Sequence, residues 1–291
     1  MTAPAASIGI GELVDLARYP LDSPGSDAWH AVVATARDEL RDDGCAVIRD
    51  LVRPGAVRRL DDEIVARKHT THYSTQVINP YFHTSGDPAR PERHPINTFI
   101  ERSSGFIPGD SWEPDCATAV LFRSRELAAF LAACLEVPAL HCYDDPLAGL
   151  TANVLDPGQQ FTWHFDTNEF AVTVLVREAG AGGLFEYVPG IRSSTDEGFD
   201  AIQAILEGGR DGVRTLDLRP GDLQIFRGRH SLHRVTRVPV GASPRHAAIF
   251  AYTLEPGVIG RVERTEQLFG RVLPEHIAAE QARVRSDTLT D

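Results

Sequence analysis

Lysine is almost missing from this chain of 291 residues: Lys68 is the only one, so nearly every positive charge is a guanidinium. A GC-rich genome is the plain cause of that bias. Cations are also outnumbered, 29 Lys and Arg against 41 Asp and Glu, for a formal net charge of −12. That balance speaks against a general nucleic-acid binder, whose affinity rests on cations meeting phosphates. Cysteine is scarce too. Cys45, Cys116, Cys134 and Cys142 stand apart without a CxxC pair, which argues against a zinc knuckle or a disulfide framework and fits buried thiols in a reducing cytosol. No apolar run is long enough to span a membrane. Residues 1–7 are small and uncharged and lack the features of a secretory signal. A cytoplasmic protein without membrane contact is therefore expected. Repeats, low-complexity tracts and a phosphate-loop pattern are absent as well, and the glycines of 180–183 read as a hairpin turn.

What remains is an ordinary apolar fraction of 42 %, enough for one packed domain over 1–291. Ser26 can cap a helix reaching about residue 42, because Trp29, Val32, Val33, Ala36 and Leu40 fall at helical spacing. Gly44 ends it, 45–49 reads as a short strand, and Pro54 opens a helix to about 68. The stretch 69–114 is irregular, rich in His, Pro, Gly and Ser, and reads as a lid or pocket wall because it carries Tyr81, Phe82, Phe99 and Phe106. A third helix covers 123–135. From Thr151 onward the character changes to short β-branched runs at 151–155, 161–165, 170–177, 184–188, 213–218, 223–226, 233–238 and 245–253. Turn residues separate most of them, and one helix interrupts at 199–206. Such runs suggest a jelly roll of two facing sheets. The expected fold is α+β: a mainly helical part over 1–150 buttressing a jelly-roll core over 151–271, then a tail over 272–291.

The segment Phe161-Thr-Trp-His-Phe-Asp-Thr-Asn-Glu-Phe170 contains His164-x-Asp166. On extended backbone, residues i and i+2 project to one side, so an imidazole and a carboxylate can converge on a cation. A second segment, Arg227-Gly-Arg-His-Ser-Leu-His-Arg-Val-Thr-Arg-Val238, offers His233 entering a strand, with His230 competing for the same role. Two histidines and a carboxylate on one face of an octahedron leave three positions open, the arrangement of non-haem Fe(II) oxygenases; zinc would also bind such a trio. Arg245 opens the final strand, where a guanidinium can clamp the distal carboxylate of a keto acid. His69 and His72 have no carboxylate beside them to complete a second site.

Residues 151–271 resemble the 2-oxoglutarate/Fe(II) oxygenases related to the free-amino-acid halogenases and hydroxylases. The matching stretches are Asn153-Val-Leu-Asp-Pro-Gly-Gln, Trp163-His-Phe-Asp-Thr-Asn-Glu-Phe, Gly182-Gly-Leu-Phe-Glu-Tyr-Val-Pro, Phe226-Arg-Gly-Arg-His-Ser-Leu-His-Arg-Val-Thr and Phe269-Gly-Arg. The N-terminal half resembles the family in layout more than in motif. The resemblance implies a double-stranded β-helix of cupin type. It implies iron on His164, Asp166 and His233, the last preferred over His230 as the His of His-Arg-Val. It also implies 2-oxoglutarate on Arg245 with Asn153 nearby, and O2 as the further co-substrate. Halogenases of this family carry Gly in place of the carboxylate so that chloride can bind. Asp166 fills that place here, which points to hydroxylation, desaturation or ring closure.

On the substrate side, the resemblance places Arg102 where an arginine receives a carboxylate, although a solvated surface arginine is an equally simple reading. Thr167 and Thr253 are candidate pocket residues. Related lysine-acting enzymes carry polar or acidic residues near the iron, and Thr167 and Phe161 beside the triad here favour a small amino-acid-like substrate with a neutral or less basic side chain. Family habit adds a role in specialised metabolism. Two alternatives stay open, the same chemistry on a carrier- or protein-bound residue and a non-catalytic jelly-roll binding protein. Oligomeric state is not legible.

Overall fold

A computed structural model describes residues 8–168 and 170–282. The opening stretch 1–7, Glu169 of the motif segment and the end of the expected tail lie outside the described residues.

The N-terminal part is helical for local reasons. After a short turn of helix α1 (Ile10–Leu13), α2 (Asp27–Asp43) starts where Ser26 Oγ accepts from Trp29 N at 3.2 Å, a cap worth about 1 kcal/mol. It stops at Gly44, whose φ of 65° lies in the left-handed region that glycine enters without a Cβ clash. Strand β1 (Cys45–Ile48) follows, and Pro54 then occupies the first turn of α3 (Pro54–Arg67), where its missing N–H costs nothing. Helices α4 (Ala117–Phe122) and α5 (Arg125–Leu135) complete the buttress, α5 being capped by Ser124.

The stretch expected as an irregular lid holds two strands, β2 (His72–Ile78) and β3 (Ile100–Ile107), paired along their whole length. Only 79–99 between them is irregular. The strand pattern was hidden because β2 is an edge strand: Tyr73, Thr75 and Val77 face outward, while His72, Ser74 and Gln76 point toward the protein. The polar residues are thus on the inner side, inverse to the usual alternation.

The core strands are β4 (His141–Cys142), β5 (Leu150–Leu155), β6 (Phe161–His164), β7 (Phe170–Arg177), β8 (Phe185–Val188), β9 (Arg214–Leu216), β10 (Leu223–Phe226), β11 (Leu232–Val235) and β12 (Arg245–Thr253), with α6 (Phe199–Leu206) between β8 and β9. One sheet has the order β1-β10-β7-β12-β5-β3-β2, with β4 on the end of β12; the other is β6-β11-β8-β9. Two facing antiparallel sheets form the expected jelly roll, enlarged by β1, β2 and β3 from the N-terminal half. The 180–183 turn is not a hairpin. It carries the chain from β7 in the large sheet to β8 in the small one, and these strands do not pair. Beyond the last strand, α7 (Val262–Phe269) is a helix inside the stretch expected as jelly-roll core, and α8 (Pro274–Ala282) lies in what was expected as a simple tail.

One apolar cluster joins the helices to the outer face of the large sheet through Val33, Leu60, Ile64, Leu127, Val174 and Phe250. A second fills the space between the sheets, with Phe106, Phe161, Phe185, Phe226 and Phe269. Among the described residues, no helix is long and apolar enough to cross a membrane.

Candidate metal centre and adjoining cavities

The site begins with strand register. β6 and β11 are antiparallel neighbours, and His164 stands directly opposite His233. Opposed residues share a sheet face, so the two imidazoles meet with ring centroids 4.0 Å apart. Asp166, just past the end of β6, is anchored by its own N–H to Gly228 O at 3.2 Å. Its Oδ1 lies 3.8 Å from His164 Nε2 and its Oδ2 3.5 Å from His233 Nε2. One ligand atom from each residue falls within 4.8 Å of the others, the sole such trio among the described residues. His230 is outside it.

The imidazoles are oriented as ligands. His164 Nδ1 sits 2.7 Å from Thr162 O, and His233 Nδ1 2.9 Å from Ser231 O. A ring nitrogen facing a carbonyl carries the proton, so both Nε2 lone pairs point into the trio. Burial first, then the neighbouring His233, holds His164 well below its ordinary pKa, which keeps it neutral. Asp166 is held at about 2: burial pushes it up, and its attraction to the neighbouring His233, His164 and Arg264 outweighs that. Aromatic rings wall the trio. Phe161 stacks on His164 at 4.0 Å, Phe82 meets it edge-on at 5.3 Å, and Phe226 packs against His233 at 4.9 Å. Two imidazole nitrogens and one ionised carboxylate, with no thiolate, suit Fe(II).

Sequence reading missed Gly228. A Cβ placed there would lie 1.9 Å from Asp166 Oδ2, so glycine is the residue that leaves room for the carboxylate. Nothing in Arg-Gly-Arg signals this, because the partner is distant in the chain.

Two cavities flank the trio and share Asp166 and Phe161. The first, about 80 Å³, runs between the sheets from the trio to Arg245, past Asn153, Thr173, Gln224 and Ala247. Arg245 is buried at 6 % exposure, takes no ion-pair partner among the described residues, and is lowered to about 10 by burial alone. It stays charged at neutral pH, a cation unmatched among the described residues at the end of the slot away from the trio. Asn153 lines the slot, with Nδ2 donating to Gly105 O at 3.3 Å. The second cavity, about 120 Å³, opens on the other side of Asp166 toward α7 and is mostly apolar, with Thr167, Asn168 and Arg264 among its polar lining.

The remaining expected site residues divide. Thr167 is at the second cavity, as expected. Thr253 is not brought to the site: it ends β12 beside His141, and its hydroxyl is used in a turn, donating to Glu255 O at 2.8 Å. Arg102 is no surface arginine but 0 % exposed. It lies behind Phe161 with Nη2 donating to Ser74 Oγ and Gln267 O, and it lines neither cavity. Two arginines do reach the second cavity, Arg264 on α7 and Arg261 just before it, and sequence reading passed over both.

A family model described as halogenase D (HalD) matches residues 29–257. The chain belongs to the halogenase D family. No curated protein matches the sequence. Among solved structures, an oxidoreductase of the 2OG-Fe(II) oxygenase family from Burkholderia pseudomallei is similar at a TM-score of 0.52 and 12 % identity, covering 81 % of this chain and 94 % of that one. AviO1 from Streptomyces viridochromogenes Tue57 is similar at 0.51 and 17 %, covering 77 % and 96 %. At those identities the likeness establishes the shared fold. This halogenase D family member thus carries its His-Asp-His trio on a 2OG-Fe(II) oxygenase fold.

Proposed function

We propose that this halogenase D family member is an Fe(II)/2-oxoglutarate-dependent dioxygenase that oxidises a C–H bond of a small amino-acid-like molecule. The observation that carries the reading is the pairing of an open His164–Asp166–His233 face with an unmatched, buried Arg245 across one slot. His164, Asp166 and His233 would hold the metal, and Arg245 would take the distal carboxylate of the keto acid, with Asn153 in the same wall. Bound iron supplies the activation of O2 coupled to decarboxylation of 2-oxoglutarate to succinate and CO2. The chain's own part is to orient the two imidazoles through Thr162 and Ser231, to shield the face with Phe82, Phe161 and Phe226, and to hold a substrate in the apolar cavity next to Asp166.

Oxygenation rather than halogenation is the outcome this arrangement favours, despite the family's name. Asp166 is tied to Gly228 and occupies the position that a halide would need. The apolar walls of the second cavity, with Thr167 at its edge, suit a free amino acid or related metabolite whose side chain is neutral.

The test is anaerobic titration of the metal-free protein with Fe(II) and then 2-oxoglutarate, following the weak visible charge-transfer band of the chelate. The parent should develop the band and His233→Ala should not, while both keep the same far-ultraviolet circular dichroism. A folded parent without the band would refute the assignment.

A further inference from the structure

Arg264 has no ordinary structural explanation. It sits on α7 with its guanidinium against the Phe82 ring, and its Nη1 is closed off from solvent without a hydrogen-bond partner among the described residues. Burial lowers its pKa, and the neighbouring Arg102 lowers it further; among the described residues Asp166 is the opposing charge acting on it. Arg102 is in the same condition. Its Nε and Nη1 are buried without partners, and its Nη2 reaches Gln267 O on the same helix. Helix α7 thus brings the Arg264 guanidinium to one end of the second cavity, with Arg102 of β3 behind it, and three nitrogen donors of the two are unmet among the described residues. Leaving buried donors unsatisfied is costly, and placing two like charges together adds to the cost. Such an arrangement persists when a ligand supplies the missing acceptors. A carboxylate, with about four acceptor sites and one negative charge, can meet the Arg264 donor and offset the charge of both guanidiniums.

Resting on the reading of this cavity as the substrate pocket, we propose that Arg264 is the substrate anchor, receiving a carboxylate while Arg102 behind it adds a second charge. The rest of the ligand would lie along Phe106, Phe170, Ile249, Leu268 and Phe269, which line the same cavity up to Asp166. The preferred class is therefore an acid with an apolar body. The corresponding amide has lost the charge and gained donors that face donors, so it is rejected. Arg264 lines the cavity and Arg102 does not, which assigns direct contact to Arg264 and leaves Arg102 a positioning residue.

The experiment is anaerobic calorimetry of the Fe(II)- and 2-oxoglutarate-loaded protein with L-leucine, L-phenylalanine, 3-phenylpropionate and the carboxamide of each. The parent, Arg264→Gln and Arg264→Lys are compared. At least one acid should bind the parent and its amide at least about tenfold more weakly. Arg264→Gln should lose a similar factor for the acid, Arg264→Lys less. In both variants the chelate band should stay at the parental value and the thermal midpoint should not fall below that of the parent. Acid binding to Arg264→Gln as tight as to the parent, amide binding as tight as acid, or no acid binding at all would overturn the proposal. A parent that forms no chelate yet binds an acid through Arg264 refutes the oxygenase reading alone and leaves the anchor standing.

Discussion

At the scale of single residues, the site depends on groups that differ sharply in how visible they are in the sequence. His164 and Asp166 were legible because period-two spacing on a strand projects both to one side, and His233 because a strand start returns beside them. Gly228 was not, since its role is to be absent at the place where Asp166 Oδ2 lies. Gly228→Ala should keep the fold but push the carboxylate out of the trio, weakening Fe(II) binding by an order of magnitude or more. Equal Fe(II) affinities for variant and parent would show that the loop yields instead. Arg245 makes a different prediction. Its guanidinium is buried without a partner among the described residues, so Arg245→Leu breaks no ion pair seen there and removes a desolvated charge. The ligand-free variant should melt no lower than the parent, whereas 2-oxoglutarate should bind about 30-fold or more weakly, the cost of leaving its carboxylate unpaired. Thermal melts with and without 2-oxoglutarate measure both. A fall in the ligand-free midpoint would mean that Arg245 supports the fold rather than the ligand.

Among the elements, legibility followed apolar patterning. The eight expected core strands correspond closely to β5–β12, because alternating or continuous apolar runs between turn residues report burial on a sheet face. β2 and β3 escaped because the inner side of the edge strand is polar, with Ser74 there to meet Arg102. Sequence patterning finds faces that bury hydrocarbon, and this strand instead serves a buried charge. Helix α7 escaped for a similar reason: Arg264 and Gln267 lie among its inward residues. What holds α7 is Asp145, itself almost fully buried. Its Oδ1 accepts from Leu147 N and Ala148 N at 2.8 and 2.7 Å, and its Oδ2 from Gly260 N, just before α7, at 2.8 Å. His276 of α8 completes the set: its Nδ1 accepts from Leu273 N, so its Nε2 donates to Asp145 Oδ2 at 3.0 Å. Asp145→Ala would strip four donors of their acceptor, at a cost of roughly 3–5 kcal/mol. A markedly lower melting temperature is expected, with amide exchange rising first in 260–276. Uniform exchange across the chain would argue that this carboxylate does not latch the two helices separately.

For the molecule as a whole, the division into a helical half and a jelly-roll half was legible in composition, but the sequence boundary is not a boundary in space. β1, β2 and β3 come from the N-terminal half and extend the large sheet on both sides, β1 beside β10 and β3 beside β5. The helices contribute Val33, Leu60, Ile64 and Leu127 to the same apolar cluster as Val174, Ile225 and Phe250 of the sheet. Neither half can bury its apolar face alone, because each supplies the other's cover. The metal trio, in turn, is held by the small sheet, while Arg245 is held by the large one, so the distance across the slot depends on both sheets staying packed. We therefore expect one cooperative unfolding event, with the calorimetric enthalpy equal to the van't Hoff enthalpy. Fe(II) with 2-oxoglutarate should raise the midpoint of that event rather than split it, since a ligand bridging the two sheets stabilises only the state in which they face each other. A separate low-temperature transition that is insensitive to metal would show that the helical half melts as its own unit. In that case the buttress is an appendage to the site rather than part of its frame.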